Sequence, residues 1–324
     1  MYIEANEFYG FVKFFNDAGY YETQAHKRIY NDITAHIQSG GIYALTGSVG
    51  AGKTKLLNKI QSDLDSKKQI IVSRSLTTEK KSLTIKTLLV ALFYDLLKGE
   101  KVIKIPSVSE KRERELIDLI KKHNKPVALL IDEAHDIHGL TLLGLKRLVE
   151  TTASQGYRLS IIMAGHPKLG NALSTAAMEE IGARTKIFNI DDAIGDKEKY
   201  IIWLLKECLD PKKKYQEIIS PEAIQKLASS LQTPLQIQHY LTQAIQSGHQ
   251  LGEKIITPEL IEQTLSFDLN SLEAQLARKG YQLKDTCEML NATAKEVQDY
   301  LQGKSNSPRK NEFIQKLRSI GISI

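Results

Sequence analysis

Residues Gly47 to Thr54 read GSVGAGKT, which satisfies G-x-x-x-x-G-K-[ST] at every fixed position. The octapeptide follows a short apolar run, Ile42 to Gly47. It opens a segment, Lys53 to Asp65, in which Leu56, Leu57, Ile60 and Leu64 recur at helical spacing. Strand, glycine-rich loop and helix in that order make an anion cradle. Gly47, Gly50 and Gly52 let the backbone pass close to a phosphate chain, while the amides of the loop, Ser48, Val49 and Ala51 included, and the helix N-terminus supply the field. Lys53 is expected to reach the β- and γ-phosphates and Thr54 to hold Mg²⁺ through its hydroxyl, so ATP and Mg²⁺ are the expected ligands.

A second stretch, VALLIDEAHD (Val127 to Asp136), is an apolar strand that ends in acids. Asp132 is the natural partner for the Mg²⁺ shell, and Glu133 is placed to polarise a water for attack on the γ-phosphate. A strand that merely ends in exposed acids is the bland alternative. The segment Gln69 to Lys98 separates the two motifs with one strand-like run (QIIVSRSL) and one amphipathic helix. That layout marks the additional-strand class of P-loop ATPases. In this class a polar residue after the next strand lies between the acid strand and the γ-phosphate and orients the water; in SIIMAGHP it is His166. Arg184, in EEIGARTKIFNI, immediately precedes a last strand, where a guanidinium can enter a neighbouring subunit's nucleotide site as an arginine finger. Pairing of Arg184 with Glu179 or Glu180 is its structural alternative, and Arg147 is the fallback finger.

The remaining periodicities settle the fold class as α/β. Ser109 to His123 and Leu140 to Ser154 are helical, and Val127 to Ile131, Leu159 to Ala164 and Lys186 to Ile190 are strands. Nearly continuous apolar strands between helices predict a parallel sheet with helices on both faces. After Asp191 strand signals stop. Lys197 to Leu209, a helix opened by Ser220-Pro221, Pro234 to Ser247 and Pro258 to Leu265 form an all-helical lid, and from Asn270 a further helical region runs to the end. The expected division is 1–190 for a lead-in and nucleotide-binding core, 191–268 for the lid and 269–324 for the C-terminal region.

Composition is that of an ordinary globular chain of 324 residues, 42% hydrophobic and 25% charged, with a formal net charge of +6. The basic balance leans toward an anionic partner. Cys208 and Cys287 lie outside any disulfide framework or metal-ligand spacing. No signal peptide and no apolar stretch of about 18 residues is read, so no membrane contact is expected and the cytoplasm is the default compartment.

GSVGAGKT, LLIDEAHD, AGHPKL and TPLQIQHYL together resemble the ExeA-like branch of the AAA+ ATPases, and the likeness extends through the lead-in GYYETQAHKRIYNDI to cover most of residues 10 to 265. EKRERELIDLI, KPVALLIDEAHDIHG and MEEIGARTKIF are most similar to the transposon ATPases of the TniB, TnsC and MuB type. The resemblance implies an AAA+ core and lid, slow ATP hydrolysis, and a homo-oligomeric ring or filament on duplex DNA without sequence preference. It also implies delivery of a DDE-type transposase to its target. One departure stands out. Lids of this class often carry an arginine in a G-x-P-R sequence, and here the matching stretch is Thr233-Pro234-Leu235-Gln236. Either Gln236 substitutes weakly, or nucleotide sensing relies on Arg184 from a neighbour.

Arg74, Lys80, Lys81 and Lys86 are the candidate DNA contacts, since the corresponding loops of AAA+ rings face the pore; a solvated charged loop is the alternative. Leu283 to Leu290, the turn Asn291-Ala292-Thr293 and the helix from Ala294 have the cadence of helix-turn-helix. Arg309, Lys310, Lys316 and Arg318 follow, so DNA or transposase docking and a plain helical bundle both remain open. A secretion-associated ExeA-like ATPase, for which a membrane span and wall-binding region are expected, a helicase suggested by the DEAH letters at Asp132 to His135, and a STAND-type switch are the competing readings.

Overall fold

The apolar runs become five parallel strands. The structure, a computed structural model, describes residues 2–75, 83–97, 105–265, 269–304 and 309–322. Helices α1 (Tyr2–Tyr9) and α2 (Gln24–Ile37) precede β1 (Gly41–Thr46), which leads through the glycine-rich loop into α3 (Lys53–Lys67). Then come β2 (Ile71–Arg74), α4 (Ile85–Leu96), α5 (Ser109–His123), β3 (Val127–Ile131) and α6 (Gly139–Ser154). After them follow β4 (Leu159–Gly165), α7 (Pro167–Leu173), the short α8 (Glu179–Gly182) and β5 (Thr185–Asn189). The rest is helical: α9 (Lys197–Cys208), α10 (Pro221–Ser230), α11 (Pro234–Leu251), α12 (Pro258–Thr264), α13 (Leu272–Arg278), α14 (Leu283–Leu290), α15 (Ala294–Leu301) and α16 (Lys310–Ser319). The chain divides into two compact units. One is His26–Gly47 with Lys53–Ile190, the other Met1–Ala25, Ser48–Gly52 and Asp191–Ile324.

The first is a sheet unit with strand order β2-β3-β4-β1-β5. All five residues of β3 and all seven of β4 are buried, which is why these strands read as apolar runs without alternation. Their side chains meet Leu88, Leu89 and Leu92 of α4, Leu116 and Ile120 of α5, and Leu142 and Leu145 of α6. Each such side chain contributes roughly 1.5–3 kcal/mol by leaving water. In the sheet, β4 stands between the phosphate-loop strand β1 and the acid strand β3, whereas β2, which lies between those two in sequence, goes to the edge. The extra strand between the two motifs is therefore β4. Helix starts follow the sequence signals. Thr84 forms a capping box on α4, His138 accepts from the amide of Leu140 at α6, and Pro167 occupies the first turn of α7.

The second is a helical unit, and two hydrophobic cores stand out among its described residues. In one, Ala5, Tyr9, Phe11 and Phe15 of the lead-in pack with Leu204 and Leu205 of α9, Leu227 of α10 and Ile237, Leu241 and Ile245 of α11. The lead-in, grouped with the nucleotide-binding core on the sequence, thus shares its packing with the later helices; Tyr9 Oη donates to the Glu253 carbonyl at 2.6 Å and Val12 N to that of Cys208 at 2.8 Å. In the other, Leu276, Leu290, Val297, Phe313 and Leu317 join α13 to α16. Asn291, in left-handed conformation at φ 50°, ends α14, and Thr293 with Glu296 forms a capping box on α15, so one helix stops at Leu290 and the next starts at Ala294. No described helix is long and apolar enough to cross a membrane.

Candidate nucleotide site

Because the strands are parallel, their carboxyl ends share one edge of the sheet, the edge at which ligands bind in open α/β sheets. Gly47 follows β1, Asp132 follows β3 and His166 follows β4 there. Lys53, the first residue of α3, is 6% exposed, and its Nζ donates to the Gly47 carbonyl at 2.7 Å. An ammonium held this way is already folded back over the loop it would serve. Thr54 is exposed beside it at the helix start.

Asp132 accepts from its neighbour Glu133 N at 3.0 Å through Oδ1 and from Arg74 Nη2 at 3.3 Å through Oδ2. Arg74 also donates to Asn58 and, at 3.2 Å, to Gln61 of α3. The first of the candidate DNA contacts is thus engaged with the acid strand. Lys86 is exposed on α4, while Lys80 and Lys81 lie outside the described residues.

Glu133 adopts a left-handed conformation, φ 52° and ψ 36°, with its side chain 58% exposed. A non-glycine residue held in that region is an uncommon and strained choice, of the kind found at working sites. Its Oε2 lies 3.5 Å from His135 Nδ1 and 4.0 Å from His166 Nε2, and the two imidazoles stack with centroids 3.8 Å apart and planes 16° from parallel. Gly165 permits this approach, since a Cβ there would stand 3.1 Å from the His135 amide nitrogen and 3.0 Å from Leu169 Cδ2. The structure therefore brings together Glu133 and His166, and adds His135, to which sequence reading gave no role although it stands two residues after Glu133. The ligand atoms of the three lie within 4.8 Å of one another, a His-His-carboxylate set that Zn²⁺-like ions can take.

Arg184, just before β5, is 55% exposed; its Nε lies 3.2 Å from Glu150 Oε1 and its Nη1 donates to the Glu180 carbonyl at 2.9 Å. Glu180 is itself bonded to Lys146, whose hydrogen bond and charge, with smaller help from Arg184 and Arg147, hold its carboxyl below the usual range. Arg147 is exposed on α6.

In the helical unit, the loop tip Ser48–Gly52 has partners that sequence reading missed. Ser48 N donates to Asp191 Oδ1 at 2.5 Å, Val49 N to the Arg278 carbonyl at 2.9 Å, and Leu235 N to the Gly50 carbonyl at 3.3 Å. Gly50 has φ +81°, and a Cβ on it would stand 2.4 Å from Leu235 Cβ, so glycine is required twice over. Gln236, at the place of the lid arginine, forms a capping box: its Oε1 accepts from Gln232 N at 2.9 Å and Thr233 N at 3.2 Å. That oxygen caps the start of α11, while the amide nitrogen Nε2, the atom that would stand in for an arginine's donors, takes no part in the capping box. No side-chain signal marks Asp191 or Arg278 in the sequence, because each meets the loop through the fold alone.

Within the sheet unit, a buried lysine folded onto the Gly47 carbonyl and an aspartate at the same sheet edge fit a nucleotide's phosphates and a hydrated Mg²⁺ ion. In the C-terminal region, Arg309 donates to the Leu290 and Asn291 carbonyls at 3.0 and 3.1 Å and Lys316 to that of Leu290 at 3.4 Å. Two of the candidate docking cations are thereby used to tie α16 to the end of α14.

Residues 35–173 match the AAA domain family. The fold is similar to the ORC2 protein of Aeropyrum pernix, solved as ADPNP–ADP complexes, at 12% identity and TM-score 0.55 over 92% of this chain and 84% of that one. It is also similar to Cdc6p of Pyrobaculum aerophilum, at 15% identity and TM-score 0.53 over 98% and 90%. No curated protein sequence matches the chain. Motifs, strand order and these likenesses agree on one description: the chain has the P-loop AAA+ fold, a five-stranded parallel sheet with four of its strands in the residues that match the AAA domain family, followed by a long series of C-terminal helices.

Proposed function

We propose that the chain is a slow ATPase whose nucleotide state controls a homo-oligomeric ring or filament on duplex DNA, there to recruit or activate a DDE transposase. The observation that carries the nucleotide reading is the buried Lys53, folded onto Gly47 at 2.7 Å, with Asp132 and Glu133 at the same sheet edge. The DNA and transposase readings rest on the sequence resemblance and on the net charge of +6. The division into core, lid and C-terminal region at about residues 190 and 268 belongs to the same proposal. So does a cytoplasmic setting.

Lys53 and the loop amides other than those of Ser48, Val49 and Ala51, which already donate within the fold, bind the phosphates, and Thr54 and Asp132 would hold Mg²⁺, which neutralises charge on the β- and γ-phosphates when bound. Asp132 has to exchange Arg74 for that ion. Glu133 takes the proton of the attacking water as its oxygen bonds to the γ-phosphorus and the bond to the bridging oxygen of ADP breaks; His166 orients that water. Arg184 of one subunit stabilises the transition state in the next. A lid glutamine committed to a capping box, in place of a phosphate-contacting arginine, suits slow turnover and hence a switch.

Two linked measurements test this. ATPγS should promote a low-salt, sequence-indifferent shift of duplex DNA, and Lys53→Ala should abolish nucleotide binding and the shift together. ATP-dependent DNA binding retained by Lys53→Ala would sink the phosphate assignment, and nucleotide binding without any shift would exclude DNA in favour of a protein-only partner.

A further inference from the structure

Arg278, the last residue of α13, is fastened to the glycine-rich loop by its main chain: Val49 N donates to its carbonyl at 2.9 Å. Its guanidinium is satisfied at one nitrogen, with Nη1 donating to the Leu269 carbonyl at 2.7 Å. Nε and Nη2 are shielded from solvent and meet no acceptor among the described residues. Burial lowers its pKa, and among the described residues Tyr240 acts on it electrostatically. Arginine stays protonated in such surroundings. A desolvated guanidinium with two donor nitrogens unmet is an expensive arrangement for a fold to keep, and one that a ligand anion removes.

The chemistry of that anion follows from the donors. A planar fork with Nε and Nη2 on one edge suits two oxygens of a phosphate or carboxylate. The element bonded to Arg278 is itself an anion cradle, and Gly50 and Gly52 lie one and three residues beyond the Val49 contact.

We propose that Arg278 is a nucleotide-binding residue that reaches the phosphates held by the glycine-rich loop, supplying the cation missing at Gln236. This rests on the nucleotide reading of the loop. The residue comes not from the lid helices α9 to α12 but from α13, whose Leu276 is part of the core shared with α14, α15 and α16. Nucleotide occupancy is thereby felt directly by the C-terminal bundle.

The test compares wild type, Arg278→Met, Arg278→Lys and Lys53→Ala for binding of ATPγS, ADP and pyrophosphate by calorimetry, with nucleotide-free thermal unfolding of each. Arg278→Met should lose on the order of tenfold to a hundredfold in ATPγS affinity, the range for a charged hydrogen bond or a pair of them, with Arg278→Lys in between. Its nucleotide-free melting temperature should hold, because an apolar chain replaces a half-buried cation whose shielded Nε and Nη2 meet no acceptor among the described residues. Wild-type affinity in Arg278→Met alongside lost binding in Lys53→Ala overturns this proposal alone. Wild-type binding in Lys53→Ala overturns the nucleotide reading beneath it. A lowered nucleotide-free melting temperature in Arg278→Met with affinity unchanged makes the residue structural and likewise overturns the proposal.

Discussion

Gly50→Ala is the substitution whose effect the structure fixes most closely. At φ +81° an alanine enters the left-handed region, at a cost of roughly 1–2 kcal/mol. Its Cβ would stand 2.4 Å from Leu235 Cβ, about 1 Å or more inside carbon–carbon contact. Leu235 Cβ is carried on the backbone of α11, whose first turn is set by Pro234 and the Thr233–Gln236 capping box, so it cannot swing aside as a side-chain tip would. The loop must retreat instead, and the Leu235 N to Gly50 carbonyl bond, worth about 1 kcal/mol, goes with it. The loop conformation that binds phosphate is thus disfavoured by about 2–3 kcal/mol, or roughly 30-fold to 150-fold in ATPγS affinity. Gly156→Ala is the control: φ is +85°, yet nothing lies within 4 Å of its added Cβ. It carries the backbone cost without touching the loop. Calorimetric titration with ATPγS at fixed Mg²⁺, beside nucleotide-free thermal unfolding, separates the two. Gly50→Ala affinity within threefold of wild type, or equal affinity losses in both variants, would refute the reasoning.

Four further outcomes are expected. Glu133→Gln should keep ATP affinity, lower turnover by roughly 10²–10⁴ and leave the protein trapped on DNA as an oligomer, as removal of a general base requires; unchanged turnover excludes Glu133 from that role. Arg74→Met should lower the Mg²⁺ concentration needed for half-maximal hydrolysis by a few-fold, since Asp132 loses a competing cation in a partly exposed pair worth about 1 kcal/mol or less. A DNA-binding salt slope reduced by about one in that variant would instead return Arg74 to the DNA face. Arg184→Ala should leave nucleotide affinity unchanged and cut assembly-dependent hydrolysis by roughly 10³ or more, while loss of the exposed Glu150 pair costs less than about 1 kcal/mol of stability; equal hydrolysis in dilute and assembled protein would count against a finger. Micromolar Zn²⁺ should inhibit hydrolysis by occupying Glu133, His135 and His166, and His135→Ala should relieve it; undiminished inhibition in that variant removes the site.

What was legible in the sequence was what repeats locally. The spans of α5, β3 and α14 agree with the reading residue for residue, because each is bounded by a local signal: Asn124 in left-handed conformation after His123, the acids after Ile131, Asn291 after Leu290. The order of strands was not legible, since every buried parallel strand reads as the same kind of apolar run, and nothing in Leu159 to Gly165 says that it lies beside β1. The lead-in is another case. Tyr9, Phe11 and Phe15 are ordinary core aromatics, and the core they join is fixed only when α9 and α11 are present. Arg74 is a third case. Basic residues after a phosphate-loop helix suggest a DNA face, yet the register of β2 on β3 sets Arg74 opposite Leu130, two residues from Asp132. Charge alone does not say which anion a cation meets.

That lesson bears on the lid. The sequence presents a deficit, a glutamine where an arginine is common, and the structure holds that uncharged side chain by its oxygen in a capping box. It supplies instead a guanidinium with two unmet donors on the residue bonded to Val49. If phosphate satisfies those donors, its binding and the seating of α13 are linked, and the linkage is reciprocal: whatever moves the C-terminal bundle changes nucleotide affinity by the same factor that nucleotide changes the bundle's position. A charged hydrogen bond or a pair of them sets that factor at about tenfold to a hundredfold. A lid arginine would report nucleotide to the helices of its own core; Arg278 reports it to the separate core of Leu290, Val297, Phe313 and Leu317. A partner that docked on α14 to α16 would therefore act on the nucleotide site without touching the sheet.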